Sequence, residues 1–292
     1  MDLVGKTAFI TGGASGIGLA LARRATTSGA KVLIGDIQEE ALAIAAAELR
    51  AHGADVTTYV LDVADLDQYR AVAAAVLDEH GAPDLLCNNA GVAWKGAASS
   101  ATPDDWRWLV SVNILGVGFG LSLFVPAMVA RGSGCILNTG SITGLITSPG
   151  TAAIYSMTKH AVVAISEALA HELRPHGLHV SVLCPGSVAT QIADSDRNIP
   201  AFVSRDAFTS AEKAERDYTR AYVARGLTAD DVAHKSFTAL AEGRFYIVPH
   251  PEYKPEVESR HRQIEQAITG TPATDVDLLS QAKAALNLQP LT

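Results

Sequence analysis

Linkers, charge and aromatic side chains are all scarce in this chain. Charged residues make up 18% and aromatic residues 6% of its 292 positions, while hydrophobic residues reach 48%. That balance excludes intrinsic disorder, which needs high net charge and few apolar groups. No Pro/Gly/Ser-rich stretch divides the chain, so the length points to one large α/β domain. Basic residues are outnumbered 23 to 31, for a net charge of −8. Nucleic acid and anionic membrane surfaces, which need positive patches, are therefore not expected as partners. Only three cysteines occur, Cys87, Cys135 and Cys184, each at or near an apolar segment. They read as buried thiols in a reducing compartment, not as a disulfide framework or a metal set. His171, His176 and His179 flank Pro175 and Gly177 without a carboxylate–His–His pattern, so no metal is expected. The first residues lack a basic-then-apolar leader, and a cytoplasmic protein is expected.

Residues 111–130 carry no charge, which meets the length criterion for a membrane span. The run also holds Asn113, Gly116, Gly118, Gly120 and Pro126, and it sits inside a regular strand–helix alternation. A buried helix, covered by the sheet on one side and a second subunit on the other, is the expected form.

Short apolar strands are expected at 7–11, 31–35, 56–61, 84–88, 134–139, 178–184 and 245–248. Helical periodicity runs over 17–28, 38–52, 66–80, 103–131, 155–175 and 229–241. Such alternation implies a doubly wound parallel sheet of Rossmann type with helices on both faces. Uninterrupted apolar runs such as Val32-Leu33-Ile34 suit strands buried on both sides. The dinucleotide-binding catalytic domain is expected over 1–249. Within it, the polar stretch 190–228 reads as an insert able to close over a substrate. A helical extension follows over 250–292, with periodicity near 256–268 and 275–287.

Directly after the first strand comes Thr11-Gly12-Gly13-Ala14-Ser15-Gly16-Ile17-Gly18, and a helix follows. Glycines there let the backbone turn and approach a diphosphate, whose charge the helix N-terminus favours. Asp36 ends the second strand, 18 residues past Gly18. A carboxylate in that place can accept hydrogen bonds from ribose hydroxyls and repels a 2′-phosphate, which favours NAD over NADP. The plainer alternative is a surface Asp capping the next helix. Asp62-Val63 and Asn88-Asn89-Ala90-Gly91 close the third and fourth strands, at the edge where open α/β sheets bind ligands. Asn and Gly are also ordinary turn formers. Tyr155 and Lys159 stand four residues apart, hence on one helix face, and Ser141 lies 14 residues upstream. A free phenol has a pKa of about 10, and a neighbouring ammonium favours its phenolate. An exposed i,i+4 pair is the bland reading of Tyr155 and Lys159 taken alone.

Together these motifs resemble the short-chain dehydrogenase/reductase family over roughly residues 5–248. The resemblance implies that Tyr155 is the acid/base and that Lys159 lowers its pKa and holds the nicotinamide ribose. Ser141 would position the substrate oxygen, and Asn113 would be a fourth catalytic residue supporting a proton path. Asp62 and Val63 would flank the adenine, and Asn89, Ala90 and Gly91 would line the cofactor. Pro185, Gly186, Val188 and Thr190 would lie against the nicotinamide amide. Homodimers or homotetramers are implied as well. The stretch Phe245-Tyr246-Ile247-Val248-Pro249-His250-Pro251-Glu252 is similar to long bacterial members acting on lignin-derived aryl alcohols. The expected activity is NAD-dependent interconversion of a small-molecule secondary alcohol and its ketone. Trp94, Ile142, Leu145 and Ile146 suggest an apolar substrate, with Lys95 the one basic side chain nearby. An NADPH-dependent biosynthetic ketoreductase and a non-catalytic NAD-binding scaffold remain open alternatives.

Overall fold

Valine, leucine and isoleucine fill the strand centres, and strands apolar on both faces must be covered on both faces. The computed structural model describes residues 2–94, 96–147, 152–203, 210–268 and 291, and it meets that demand with two helical layers around one sheet. The strands are β1 (Thr7–Thr11), β2 (Lys31–Asp36), β3 (Val56–Val60), β4 (Leu85–Asn88), β5 (Gly134–Thr139), β6 (Leu178–Leu183) and β7 (Tyr246–Ile247). All pair in parallel, in the spatial order β3-β2-β1-β4-β5-β6-β7. The chain thus winds outward from β1 to β3, then returns to β4 on the other side. Such a reversal opens a crevice between β1 and β4 at their carboxyl ends, where this class of sheet binds ligands.

Helices α1 (Gly16–Thr27), α2 (Glu39–Ala51) and α8 (Ala229–Ala241) cover one face. Leu21, Leu42, Leu49 and Phe237 from these helices pack on Ile10, Val32 and Ile34. Helices α3 (Leu66–His80), α5 (Gly116–Arg131) and α6 (Ala153–Leu173) cover the other. There Phe9 meets Phe124 with ring centroids 4.9 Å apart, in one core cluster with Leu33, Leu86, Val162 and Leu173. Helix α4 (Pro103–Val110) begins with a capping box between Thr102 and Asp105. Between α4 and α5, residues Ser111–Leu115 form a wider π-helical turn, so the expected continuous helix over 103–131 is locally unwound. By length and composition Pro103–Arg131 could cross a membrane. In the fold its Val117, Leu121, Phe124 and Met128 pack into the core beneath the sheet.

The stretch 190–228 holds more regular structure than its polar composition indicates. Gln191–Asn198 forms a 3₁₀ segment and α7 spans Ser210–Ala224. Ion pairs hold α7 to that segment, Arg216 to Asp196 at 2.6 Å and Arg220 to Asp194 at 2.5 Å. The apolar positions of this helix are mostly small or tyrosine residues among many charges, so the stretch reads as polar and mixed. In the extension, α9 (Lys254–Ala267) matches the expected helix near 256–268, while 275–287 lies outside the described residues. Cys87, Cys135 and Cys184 are all free and buried.

Gly18 shows how tightly the first loop packs. A Cβ there would lie 2.0 Å from the Gly12 carbonyl oxygen and 2.6 Å from Asn89 Nδ2. Gly18→Ala adds about 1 kcal/mol of helix propensity but overpacks the loop, a penalty of about 1–3 kcal/mol. The collision should win. A urea titration is expected to show a lower midpoint for Gly18→Ala, and a higher midpoint would contradict the packing.

Candidate active site

The loop after β1 turns back through Gly12 and Gly16, whose φ angles of +65° and +53° lie in the left-handed region. Side chains there would also collide. A Cβ on Gly12 would sit 2.9 Å from Ala90 Cα, and one on Gly16 would sit 3.1 Å from Thr190 Cγ2. The loop therefore lies between the end of β4 and the stretch after β6. Helices α3, α4 and α8 start with side-chain caps from Asp65, Thr102 and Thr228. Ser15 at the N-cap of α1 makes no such bond, and the first turn of α1 holds no acid. Its leading N–H groups and positive dipole end suit a phosphate anion. Ile17 is half-buried and packs against the core on the α1 side of the sheet. Asp36 accepts from the Ala14 N–H and from the Gln38 N–H, both at 3.1 Å. Each carboxylate oxygen keeps a further lone pair for ribose hydroxyls. Asp36 thus anchors the glycine loop and the turn before α2, whose N-cap is Gln38 and carries no side-chain cap. These features fit an NAD-type dinucleotide.

Side chains stitch the strand ends together. Thr11 Oγ1 accepts from the backbone N–H of Asn89 and of Ala90, both at 3.0 Å. Asn89 Nδ2 donates to the Thr11 carbonyl at 3.0 Å, and its Oδ1 accepts from Thr139 Oγ1 at 3.1 Å. Below, Asn88 Nδ2 donates to Asn138 Oδ1, which passes the chain on through its own amide to Ser166. Buried amides paired in this way rigidify the edge.

Ser141 follows β5, while Tyr155 and Lys159 project from the first turns of α6. The Ser141 hydroxyl is near enough to the Tyr155 phenol to favour its ionised form by hydrogen bonding, and Lys159 Nζ lies 5.7 Å from the centre of the tyrosine ring. Lys159 Nζ donates to the Thr139 carbonyl at 2.8 Å, and a Cβ on Gly91 would sit 3.4 Å from that ammonium. The three side chains and the β4 edge therefore converge. Burial pushes the Tyr155 phenol up to about 12, although the bond to Ser141 pulls the other way. Burial also lowers the Lys159 ammonium to about 8. In the protein alone burial sets the tyrosine, and Lys159 is not among the groups that shift it. Desolvation penalises both charged forms at once.

Asn113 lies at the centre of the π-helical turn and is 1% exposed. Its Oδ1 accepts from the Val92 N–H, while Nδ2 donates to the Val92 carbonyl and to Thr158 Oγ1. The side chain is thus engaged in tying the β4 edge to α6. Pro185 is joined to the Ser141 turn, its carbonyl accepting from Ile142 N at 2.8 Å and Ser141 Oγ at 3.5 Å. Val188 bridges to Leu227, and Thr190 faces Gly16 across the crevice. Asp62 and Val63 sit at the outer end of the edge. Asp62 Oδ1 accepts from Ala64 N–H, and Val63 packs under Gly116.

A family model described as short chain dehydrogenase matches residues 6–199. The chain belongs to the short chain dehydrogenase family of oxidoreductases. It is 32% identical over 270 residues to a CLA biosynthesis dehydrogenase/reductase of Lactiplantibacillus plantarum, covering 90% of this chain and 94% of that protein. It is 33% identical over 269 residues to a C alpha-dehydrogenase of a Sphingobium species, covering 91% and 88%. Among solved structures, a short chain dehydrogenase/reductase from Burkholderia phymatum in complex with NAD superposes with a TM-score of 0.87. It shares 39% identity, with 93% of this chain and 98% of that chain covered.

The family motifs account for most of the site, but several contacts are invisible in them. Ser195, 3% exposed, accepts from the Ala93 N–H at 2.9 Å and so pins the 191–198 segment to the β4 edge. Gln38 Nε2 donates to Asn198 Oδ1 at 2.7 Å and pins the same segment beside Asp36. Pairs 102 and 160 residues apart leave no local sequence signal. Trp94 is buried with Val92, Trp108, Leu109, Ile154 and Val203, next to Tyr155 and Ile199. Leu145 is half-buried and packs against the core cluster that holds Val162 and Val163. Lys95 lies outside the described residues.

Truncating Asn113 would strand the buried Val92 N–H and carbonyl, each an expensive group to leave unpaired. Asn113→Ala is expected to lower stability by about 2–4 kcal/mol. Hydrogen exchange should then accelerate at Val92. Unchanged protection of that amide would show that the contact is dispensable.

Proposed function

We propose that this oxidoreductase is an NAD(H)-dependent enzyme interconverting a secondary alcohol and its ketone, with an apolar, ring-containing substrate. One observation carries the reading: the Lys159 ammonium lies 5.7 Å from the centre of the Tyr155 ring, with Ser141 acting on the phenol and Gly91 of the β4 edge beside the ammonium. In oxidation Tyr155 takes the hydroxyl proton of the alcohol, and in reduction it returns one to the ketone oxygen. Ser141 holds that same oxygen by a hydrogen bond. Lys159, fixed by the Thr139 carbonyl, stabilises the phenolate and holds the nicotinamide ribose. Asn113 keeps the β4 edge and α6 in register for this step.

Gly12, Ser15, Gly16, Ile17 and Gly18 would hold the pyrophosphate, and Asp36 the adenosine ribose. Asp62 and Val63 would flank the adenine, with Asn89, Ala90 and Gly91 along the middle of the cofactor. Pro185, Gly186, Val188 and Thr190 would meet the nicotinamide amide. NAD, when bound, supplies the hydride acceptor or donor and, oxidised, a positive charge that favours the Tyr155 phenolate. The similar Burkholderia phymatum structure, a complex with NAD, supports NAD. Asp36 beside the exposed Ile37, with no arginine following, counts against the NADPH-dependent ketoreductase. A scaffold without activity would have no use for Ser141, Tyr155 and Lys159 together.

The apolar cluster of Val92, Trp94, Ile154 and Val203 next to Tyr155 supports an apolar substrate. The Sphingobium C alpha-dehydrogenase is in keeping with an aryl alcohol. The 190–228 stretch acts as a lid, its latches being Ser195 on Ala93 and Asn198 on Gln38. Residues 1–249 then form one catalytic domain, and 250–292 an extension to it. Exposed Leu115, Met157 and Ile165 support a homodimer or homotetramer that covers them.

Two experiments test the reading. Alcohol oxidation needs the phenolate, whose fraction rises with pH everywhere below its pKa of about 12. The kcat/KM for oxidation is therefore expected to climb as pH goes from about 7 to about 10, while ketone reduction does not climb. Tyr155→Phe should lower turnover at least about 100-fold in both directions and abolish the climb. Near-normal activity of Tyr155→Phe would refute the chemistry. Second, wild type should prefer NAD(H) in kcat/KM, and Asp36→Ala with Ile37→Arg should shift preference toward NADP(H). Preference of the wild type for NADP(H) would refute the cofactor.

A further inference from the structure

His250 begins the extension, after β7, and its side chain is 4% exposed. The ring is engaged with the turn after β6. The Gly186 N–H donates to His250 Nδ1 at 3.0 Å, and His250 Nε2 lies 2.9 Å from the Ser187 carbonyl oxygen. A backbone N–H can only donate and a carbonyl can only accept. Both contacts are satisfied by one species alone, the neutral imidazole with its proton on Nε2. The site is also closely built. A Cβ on Gly186 would lie 2.6 Å from Tyr253 Cε2 and 3.0 Å from His250 Cγ. Tyr253 packs beside the imidazole with ring centroids 6.2 Å apart, and its hydroxyl meets that of Tyr222 on α7 at 2.9 Å. Lys235 on α8 fixes the preceding residue by donating to the Pro249 carbonyl at 3.0 Å.

The turn held in this way lies between two parts of the active site. On one side, the Pro185 carbonyl accepts from Ser141 Oγ and Ile142 N–H. On the other, Thr190 faces Gly16 of the glycine loop. A shift of the 186–187 peptide is therefore transmitted to Ser141 and to the wall of the crevice opposite Tyr155.

We infer that His250 is a positioning residue: as a neutral Nε2–H imidazole it sets the Pro185–Gly186–Ser187 turn that orients the nicotinamide half of the cofactor. It binds no part of substrate or cofactor itself. The extension is thereby wired into the catalytic domain through His250, with Tyr253 packed beside it. This inference rests on the NAD(H) reading given above.

The discriminating measurement is calorimetric binding of NAD⁺ and of ADP-ribose, which lacks the nicotinamide. In His250→Phe, which keeps a ring but offers neither acceptor nor donor, NAD⁺ affinity is expected to fall about tenfold. ADP-ribose affinity should stay within about twofold. His250→Asn, whose amide keeps one acceptor and one donor at shorter reach, is expected to fall between wild type and His250→Phe. Both variants are first compared with wild type by far-UV spectrum and Tm. If His250→Phe does not fold, His250→Asn decides: weaker NAD⁺ binding with unchanged ADP-ribose binding supports the inference. A general structural role would weaken both ligands together, and that result, or an unchanged ratio in every folded variant, overturns it. Wild type that fails to bind NAD⁺ would instead overturn the cofactor reading on which it rests.

Discussion

The amide of Asn89 is the contact on which the rest of the site depends. It bonds the Thr11 carbonyl at the end of β1 and accepts from Thr139 at the end of β5. Its own backbone N–H is held by Thr11 Oγ1. Thr139 in turn presents its carbonyl to Lys159. One side chain therefore links the glycine loop, the β4 edge and the lysine of α6. The arrangement is possible only because the sheet is parallel and reverses order between β1 and β4. Three carboxyl ends are thereby brought side by side, with unpaired backbone groups that side chains must satisfy.

Burial then sets the electrostatics. The same packing that positions Tyr155 and Lys159 removes them from water, and desolvation raises one group while lowering the other. Proximity of an ammonium to a phenol is therefore not enough to produce a phenolate here. The balance between Coulomb attraction and desolvation is a property of the folded site. A spacing of four residues on a helix says nothing about it.

Much of the architecture was legible in the residues. Strand positions follow from short apolar runs, and each of the seven expected strands forms within one residue or so of its expected ends. The motif residues Gly16, Asn89, Ser141, Tyr155, Lys159 and Thr190 were also readable, since each belongs to a short local pattern. Helix α7 was not, because its apolar positions are mostly alanines and tyrosines among many charges, and Arg216 and Arg220 dock it through ion pairs. The π turn at Ser111–Leu115 was not either, because its uncharged residues suit an ordinary helix equally well.

What the sequence determined by itself was the order of strands and helices and the chemical types at the strand ends. Hydrophobic period and glycine spacing are local quantities, encoded within a few residues. What only the tertiary structure decided was which distant groups share a bond. Asn113 meets Val92 across 21 residues, Ser195 meets Ala93 across 102, and His250 meets Gly186 across 64. Each of these polar side chains could equally have faced solvent. The fold settles the matter by burying a backbone N–H or carbonyl beside it, and a buried backbone group must find a partner.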